Sequence, residues 1–127
     1  MNGFTRKQYH VSMMISGSAA ADSAFRLNAG SAVSAIVGGA ALYEFTGLWT
    51  PNGAEQGAER YEPAETEPGF EIRFSINDRG ADDTESLIEQ VQRAVSNTVP
   101  AGSDIEWIHV SVSPAFGFHF AVSETRD

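Results

Sequence analysis

The chain contains no cysteine, and only eight of its 127 residues are Lys or Arg. The absence of cysteine excludes thiol catalysis, Cys-ligated metals and disulfide bonds, and it fits a reducing compartment. Because 17 Asp and Glu residues stand against those eight, the formal net charge is −9. This balance argues against direct binding to a nucleic-acid backbone or to an anionic membrane surface.

The sequence also lacks a long uninterrupted apolar run. Its longest apolar region, residues 29–49, is broken by glycines and by Glu44, so it does not predict a membrane span. The first ten residues carry Arg6 and Lys7 without an apolar stretch behind them, unlike a signal peptide. We therefore expect a cytoplasmic protein that has no membrane partner.

Motifs that carry catalysis or bind phosphates and metals are missing as well. There is no P-loop, GxGxxG, GxSxG or HExxH pattern, and no EF-hand spacing. We therefore expect neither a metal nor a cofactor. A length of 127 residues with 42% hydrophobic residues is typical of one globular domain spanning residues 1–127.

The hydrophobic pattern alternates in some segments and has helical spacing in others. Alternation predicts strands at residues 9–16, 43–50, 70–77, 105–113 and 116–123. Helical spacing predicts helices at residues 28–42 and 84–97, the second with Asp82 and Glu85 as a capping box. For the last two strands, pairing of Ser113 with Gly117 across a three-residue loop would keep the apolar residues on one face.

The resulting order, β-α-β-β-α-β-β, predicts an α+β fold of the ferredoxin-like kind with one extra C-terminal strand. Right-handed crossovers put the first and third strands in the middle of the sheet. The expected spatial order is therefore 2-3-1-4-5, with both helices on one face of the sheet.

Residues 51–69 form a long acidic interruption between the second and third predicted strands, with five Glu and three Pro. Hairpin loops are usually short, so a loop this long is typically functional or disordered. We predict a hairpin arm that packs on a sister subunit or closes over a ligand, with plain disorder as the alternative. Trp49, Tyr61 and Glu67 are the candidate contacts of the arm.

The sheet face opposite the helices is the predicted binding surface. By strand phase it collects His10, Ser12, Met14, Glu71, Arg73, Ser75, Trp107, His109, Ser111 and His119. The candidate ligand contacts are His10, Arg73, Trp107, His109 and His119, because imidazole, indole and guanidinium groups stack on or hydrogen-bond to planar or phosphorylated ligands. The histidines lack the spacing of a metal site, and they can equally be unrelated polar residues on a solvated face.

Residues 43–112 contain four notable motifs: "GLW", the strand entry "EPGF", the helix "DTESLIEQVQRAV" and the strand "IEWIHVSV". In these motifs, with Gly47, Trp49, Glu67 and Phe70 at the matching positions, the chain resembles a diffuse group of small phage-encoded ferredoxin-like proteins. The resemblance implies a phage accessory protein in the host cytoplasm. Counter-defence proteins that sequester a signalling nucleotide or block a host protein belong to the functions it implies.

Taken together, these features predict a non-enzymatic binding protein that forms a homo-oligomer and takes a small ligand, nucleotide-like in one version, or a host protein. One alternative is a small dimeric α+β-barrel enzyme that uses a histidine as base. Another is an inhibitor whose acidic arm mimics nucleic acid.

Overall fold

The computed structural model describes residues 7–52, 57, 59–117 and 121–124. The main elements are β1 (Lys7–Ser16), α1 (Ser23–Val37), β2 (Ala41–Trp49), β3 (Glu65–Asn77), α2 (Ala81–Ser96) and β4 (Ile108–Phe116). Short 3-10 helices lie at Ser18–Ala21 and Val122–Glu124. Among the helices so described, none is long and apolar enough to cross a membrane.

The four strands form one antiparallel sheet in the order β2-β3-β1-β4. This is the ferredoxin-like α+β arrangement, and it confirms the order predicted for the first four strands. β1 is central and pairs along its length with both β3 and β4, so that Met13 lies between Ile72 and Val110.

The core lies on the helix side of the sheet. Val11, Met13 and Ile15 of β1 are almost fully buried, and their neighbours across the strands are apolar too. The other core residues are Ala20, Phe25, Ala29, Val33, Phe70, Ile72, Phe74, Ile76, Val91 and Val95. Each large apolar side chain buried here contributes about 1.5–3 kcal/mol, which determines which face of the sheet the helices cover.

Helix α1 both begins and ends five residues earlier than the predicted helix at residues 28–42. The side chain of Asp22 caps it by accepting a hydrogen bond from the backbone N–H of Ala24 at 2.9 Å. Gly38 ends it in a left-handed conformation (φ +92°) and donates its N–H to the carbonyl of Ser34. The prediction of residues 28–42 was wrong because it treated Gly38 as an interior helix residue, whereas only glycine adopts this C-terminal conformation readily.

Helix α2 was predicted three residues too late, and the predicted capping box is wrong. Gly80, with φ +92°, occupies the N-cap position, and no side chain of the described residues caps the helix. Asp82 and Asp83 lie instead within the first turn, where their charges favour the positive end of the helix dipole.

The fifth strand and the hairpin at Pro114 are also corrected. β4 continues through Ser113 and Pro114 to Phe116, which pairs with Lys7, so no turn occurs there. An edge strand tolerates proline because its missing N–H can face away from the neighbouring strand. Residues 118–120, part of the predicted strand, lie outside the described residues, and residues 122–124 are helical.

The hairpin between β2 and β3 has a shorter connection than the predicted arm. β3 begins at Glu65 and not at Phe70, and Trp49 pairs with Glu65. The connection therefore comprises residues 50–64. Asn52 bridges it by accepting a hydrogen bond from the backbone N–H of Glu62 at 2.9 Å. Alternation did not predict the early part of β3 because Pro68 and Gly69 interrupt the apolar pattern.

Candidate functional site

The sheet face opposite the helices combines the predicted polar residues with an aromatic row that was not assigned to it. Pairing puts Tyr43 beside Glu71 and Phe45 beside Gly69, whereas Leu42 lies beside the core residue Ile72. The side chains of Tyr43, Phe45 and Trp49 are therefore on the open face. The predicted set from β1, β3 and β4 lies on the same face: His10, Ser12, Met14, Glu71, Arg73, Ser75, His109 and Ser111.

Two glycines allow aromatic rings to lie close against the sheet. A Cβ atom at Gly69 would collide with the ring of Phe45, and one at Gly47 would collide with the indole of Trp49. Both glycines are buried although they belong to the solvent-facing side. Glycine in a strand often marks such a close approach. The rings thus form an apolar floor at one end of the open face.

A pocket of about 660 Å³ lies at that end, where β1 and β2 finish and β3 and β4 begin. We call it the Trp49–Trp107 pocket; its lining is Met14, Ser16, Phe45, Trp49, Glu67, Asp104, Glu106, Trp107 and His109. Its volume is within the range of small-molecule sites in proteins. Trp107 was predicted to lie within the fourth strand. In the structure it precedes β4, and it is 84% exposed.

The charged groups of the Trp49–Trp107 pocket are acidic. Glu67, Asp104 and Glu106 contribute carboxylates, and neither Lys nor Arg of the described residues belongs to the lining. The three ion pairs of the described residues join Lys7 to Asp78, Arg26 to Glu44 and Arg73 to Glu71, so no pocket carboxylate is neutralised by an ion pair there.

Asp104 is held in place by the segment that follows β1. Its carboxylate accepts hydrogen bonds from the backbone N–H of Ser18 at 2.7 Å and from the Ser18 hydroxyl at 2.8 Å. These hydrogen bonds stabilise the ionised form, and they lower the pKa of Asp104 below its ordinary value. The wall of the pocket therefore carries a fixed negative charge.

Arg73, the predicted cationic contact, lies elsewhere on the open face. Its Nε donates to Glu71 at 2.8 Å, and its guanidinium lies 4.2 Å from the centre of the Tyr43 ring. Glu71 in turn accepts a hydrogen bond from Ser12. A shallower pocket of about 260 Å³ lies here, lined by His10, Val11, Ser12, Arg73, Phe74, Ser75, Ser111 and Ser113.

The histidines do not converge. His10 pairs with Ser113 and His109 with Met14, so the two lie four positions apart along paired strands, roughly 13 Å at strand spacing. His119 lies outside the described residues. Within the residues that the structure covers, no group of three His, Cys, Asp or Glu side chains could hold a metal ion.

The candidate residues thus separate into two groups. Trp49, Glu67, Trp107 and His109 come together in the Trp49–Trp107 pocket, and Arg73 and His10 line the shallower one. Tyr61 is exposed in the connection between β2 and β3.

Sequence reasoning missed Phe45, Asp104 and Glu106 as parts of the site. The signal for Phe45 was the glycine of "EPGF", a strand position with no side chain of its own. Asp104 precedes the strand predicted at residues 105–113, so no alternation assigned a direction to its side chain. Glu106 lay within that predicted strand, where alternation put it on the face opposite Trp107. In the structure both acidic residues precede β4.

Comparison with known proteins gives a structural likeness and no family for the chain. No protein-family model and no curated protein sequence matches the chain. Among solved structures, it is similar to a Bacillus cereus protein described as related to NIF3, with a TM-score of 0.48 and 16% identity. The match covers 89% of this chain and 27% of that one, so the chain spans about a quarter of its length. A likeness of this degree carries no argument about the fold or the function of the chain.

Proposed function

We propose that the protein is a non-enzymatic binding protein that holds a small ligand in the Trp49–Trp107 pocket. The observation that carries this proposal is a concave site on the uncovered sheet face. It is lined by the indoles of Trp49 and Trp107 and by the Phe45 ring. Ligand sites in proteins are mostly apolar and aromatic, with a few polar groups that orient the ligand. Met14, Phe45 and the polar rim of this pocket fit that description.

The alternative of an enzyme with a histidine base has weaker support. His109 Nε2 lies 3.2 Å from the hydroxyl of Ser111, which resembles a base beside a nucleophile. Such a pair also needs a third group that orients the imidazole. Among the described residues, the polar contact of the His109 ring is Ser111 alone, and both residues are exposed.

The nucleotide-like ligand and the phage counter-defence role expected from the sequence remain predictions. A phosphate would have to bind beside three carboxylates in the larger pocket, or beside Arg73, which is already paired with Glu71. Blocking of a host protein by the acidic hairpin connection remains a prediction as well.

The proposal also retains the homo-oligomer expected from the sequence. Phe116 and Val112, on the helix side of the edge strand β4, are 69% and 46% exposed. Leu48 on the opposite edge strand is exposed too. Apolar side chains of this size at sheet edges support association with a second copy or another partner.

The ligand can be found by releasing small molecules from denatured protein purified from cells and identifying them by mass spectrometry. A released compound should rebind the refolded protein and shift the fluorescence of Trp49 and Trp107, the two tryptophans of the chain. Trp107→Ala should weaken rebinding by about 2 kcal/mol, roughly thirtyfold, as for a central aromatic contact.

The matched control is Phe116→Ala, which removes another exposed aromatic ring outside the pocket lining. This variant should rebind like the parent protein. Equal affinity of the Trp107→Ala variant and the parent would contradict the proposal, and so would conversion of the compound to a product.

A further inference from the structure

The walls of the Trp49–Trp107 pocket combine aromatic rings with carboxylates. Within the part of the chain that the structure covers, no residue of the lining carries a fixed positive charge. Trp49 and Trp107 contribute indoles, and the Phe45 ring lies against the sheet at Gly69. The face of an indole is the strongest aromatic partner for a cation, at ring distances up to about 6 Å. An aromatic wall alone would accept any flat or apolar group, so the carboxylates determine which ligand charge the pocket favours.

The three carboxylates come from two separate segments that meet at the same end of the sheet. Glu67 lies on β3, and it is half-buried beside Gly47 of β2. Asp104 and Glu106 lie in the segment that leads into β4, and Asp104 is fixed there by its hydrogen bonds to Ser18. The three carboxylates would repel an anion, whereas they would attract a cation.

The open face already contains one pairing of the same kind. The guanidinium of Arg73 lies over the Tyr43 ring and pairs with the Glu71 carboxylate, so this sheet supports a cation held by a ring and a carboxylate. In the Trp49–Trp107 pocket the rings and the carboxylates are present, and among the described residues no Lys or Arg side chain occupies the position of the cation.

From these contacts we infer that the ligand of the Trp49–Trp107 pocket is an organic cation, an ammonium group on an apolar or methylated body. The inference rests on the proposed binding function and specifies its ligand class. It also reverses the sign of the ligand charge that the sequence analysis favoured. The apolar body lies against Phe45 and Met14, and the charged group lies between the indoles and the carboxylates.

Choline and its neutral isostere 3,3-dimethyl-1-butanol test the charge, because they share a shape and differ in the nitrogen. Binding is followed by tryptophan fluorescence and by the two indole N–H signals in NMR spectra. Both measurements report on the pocket, because Trp49 and Trp107 are the two tryptophans of the chain and both line it. Choline should bind saturably and at least roughly tenfold more tightly than the isostere. Adenosine monophosphate, the anionic probe, should bind more weakly than either.

Two double variants with the same change in net charge locate the effect. Glu67→Gln with Glu106→Gln removes pocket carboxylates and should abolish most of the preference for choline. Glu85→Gln with Glu89→Gln removes exposed carboxylates of α2, outside the pocket lining, and should leave the preference intact. An equal loss in both double variants would assign the preference to the overall charge of the protein and would overturn the inference.

The outcomes separate the two proposals. If the isostere or adenosine monophosphate binds as tightly as choline, and the Trp107→Ala variant loses this binding, the inference of a cationic ligand is overturned. The proposal of a binding pocket is then retained. If none of the three probes binds saturably, the inference of a cationic ligand is overturned, and the result also counts against the proposed binding pocket.

Discussion

Asp104 joins two segments that are far apart in the chain. Its carboxylate accepts from both the backbone and the hydroxyl of Ser18, which begins the 3-10 helix after β1, and a longer hydrogen bond comes from the N–H of Ala19 at 3.4 Å. The contact connects the segment before β4 to the end of β1, and it fixes one wall of the Trp49–Trp107 pocket.

We expect the pKa of Asp104 in the folded protein to lie below the ordinary value of about 3.9 for aspartate. Because the folded-state pKa is lowered, the contribution of this carboxylate to stability is present above the unfolded-state pKa. That contribution is lost as the pH falls through the folded-state pKa. Carbon-detected NMR titration of the Asp104 carboxyl group measures the pKa directly.

Ser18→Ala removes one of the two short hydrogen bonds and should raise the pKa of Asp104. Ser23→Ala, at the exposed start of α1, is the control and should leave it unchanged. A midpoint at the ordinary value in the parent protein, or no rise in the Ser18→Ala variant, would contradict the expectation.

Single residues also explain how much of the site was predictable. Trp107 and His109 were assigned to the open face from strand phase, and both line the pocket there. Phe45 and Trp49 are in phase along the strand predicted at residues 43–50, but the phase of one strand does not say which face of the sheet its residues belong to. Only the pairing of Phe45 with Gly69 decides that, and cross-strand pairing is not encoded in local alternation.

At the scale of elements, the ends of α1 depend on two local interactions. The side chain of Asp22 caps its first turn, and Gly38 ends its last turn in a left-handed conformation. The following Gly39 does not have positive φ, and a Cβ atom at either glycine would meet no other atom within 4 Å. The two glycines therefore differ in backbone conformation and not in packing.

Gly38→Ala should lower the free energy of unfolding by about 1–2 kcal/mol, because an L-residue is strained in the left-handed region. Gly39→Ala, the matched control, should be neutral or stabilising by up to about 1 kcal/mol, because it restricts the unfolded chain without such strain. Urea denaturation followed by circular dichroism measures both. Equal effects of the two substitutions would show that Gly38 is not the end of α1.

Elements with clean alternation were predictable, and those governed by turns were not. β1 and the second half of β3 carry apolar residues at every second position, which gave both their location and their buried face. Pro114 suggested a turn and instead lies in the edge strand β4. The pattern of a single segment does not reveal whether it lies at the edge of a sheet, where proline is tolerated.

At the scale of the whole molecule, two features act against each other. The net charge of −9 opposes the approach of a second copy, whereas Phe116, Val112 and Leu48 expose apolar surface that association would cover. Charge repulsion between exposed groups is screened by salt, with a Debye length of about 8 Å at physiological ionic strength. The balance between the two therefore depends on ionic strength.

We expect light scattering at micromolar concentration to give a mass above the 13.6 kDa of one chain, and we expect that mass to rise with salt. Phe116→Ser should shift the balance toward the single chain, and Gln90→Ser, a control on the exposed surface of α2 that changes no charge, should not. A mass of 13.6 kDa at every salt concentration would contradict the predicted oligomer.

The alternation on β1 has a consequence for how this protein can diversify. Val11, Met13 and Ile15 maintain the core, while the residues between and beside them, His10, Ser12 and Met14, belong to the open face. Substitutions at the second set change what the surface recognises and leave the packing beneath the helices intact. One ten-residue strand thus carries two independently variable sets of positions, which makes the open face a suitable target for randomised libraries and for natural divergence of specificity.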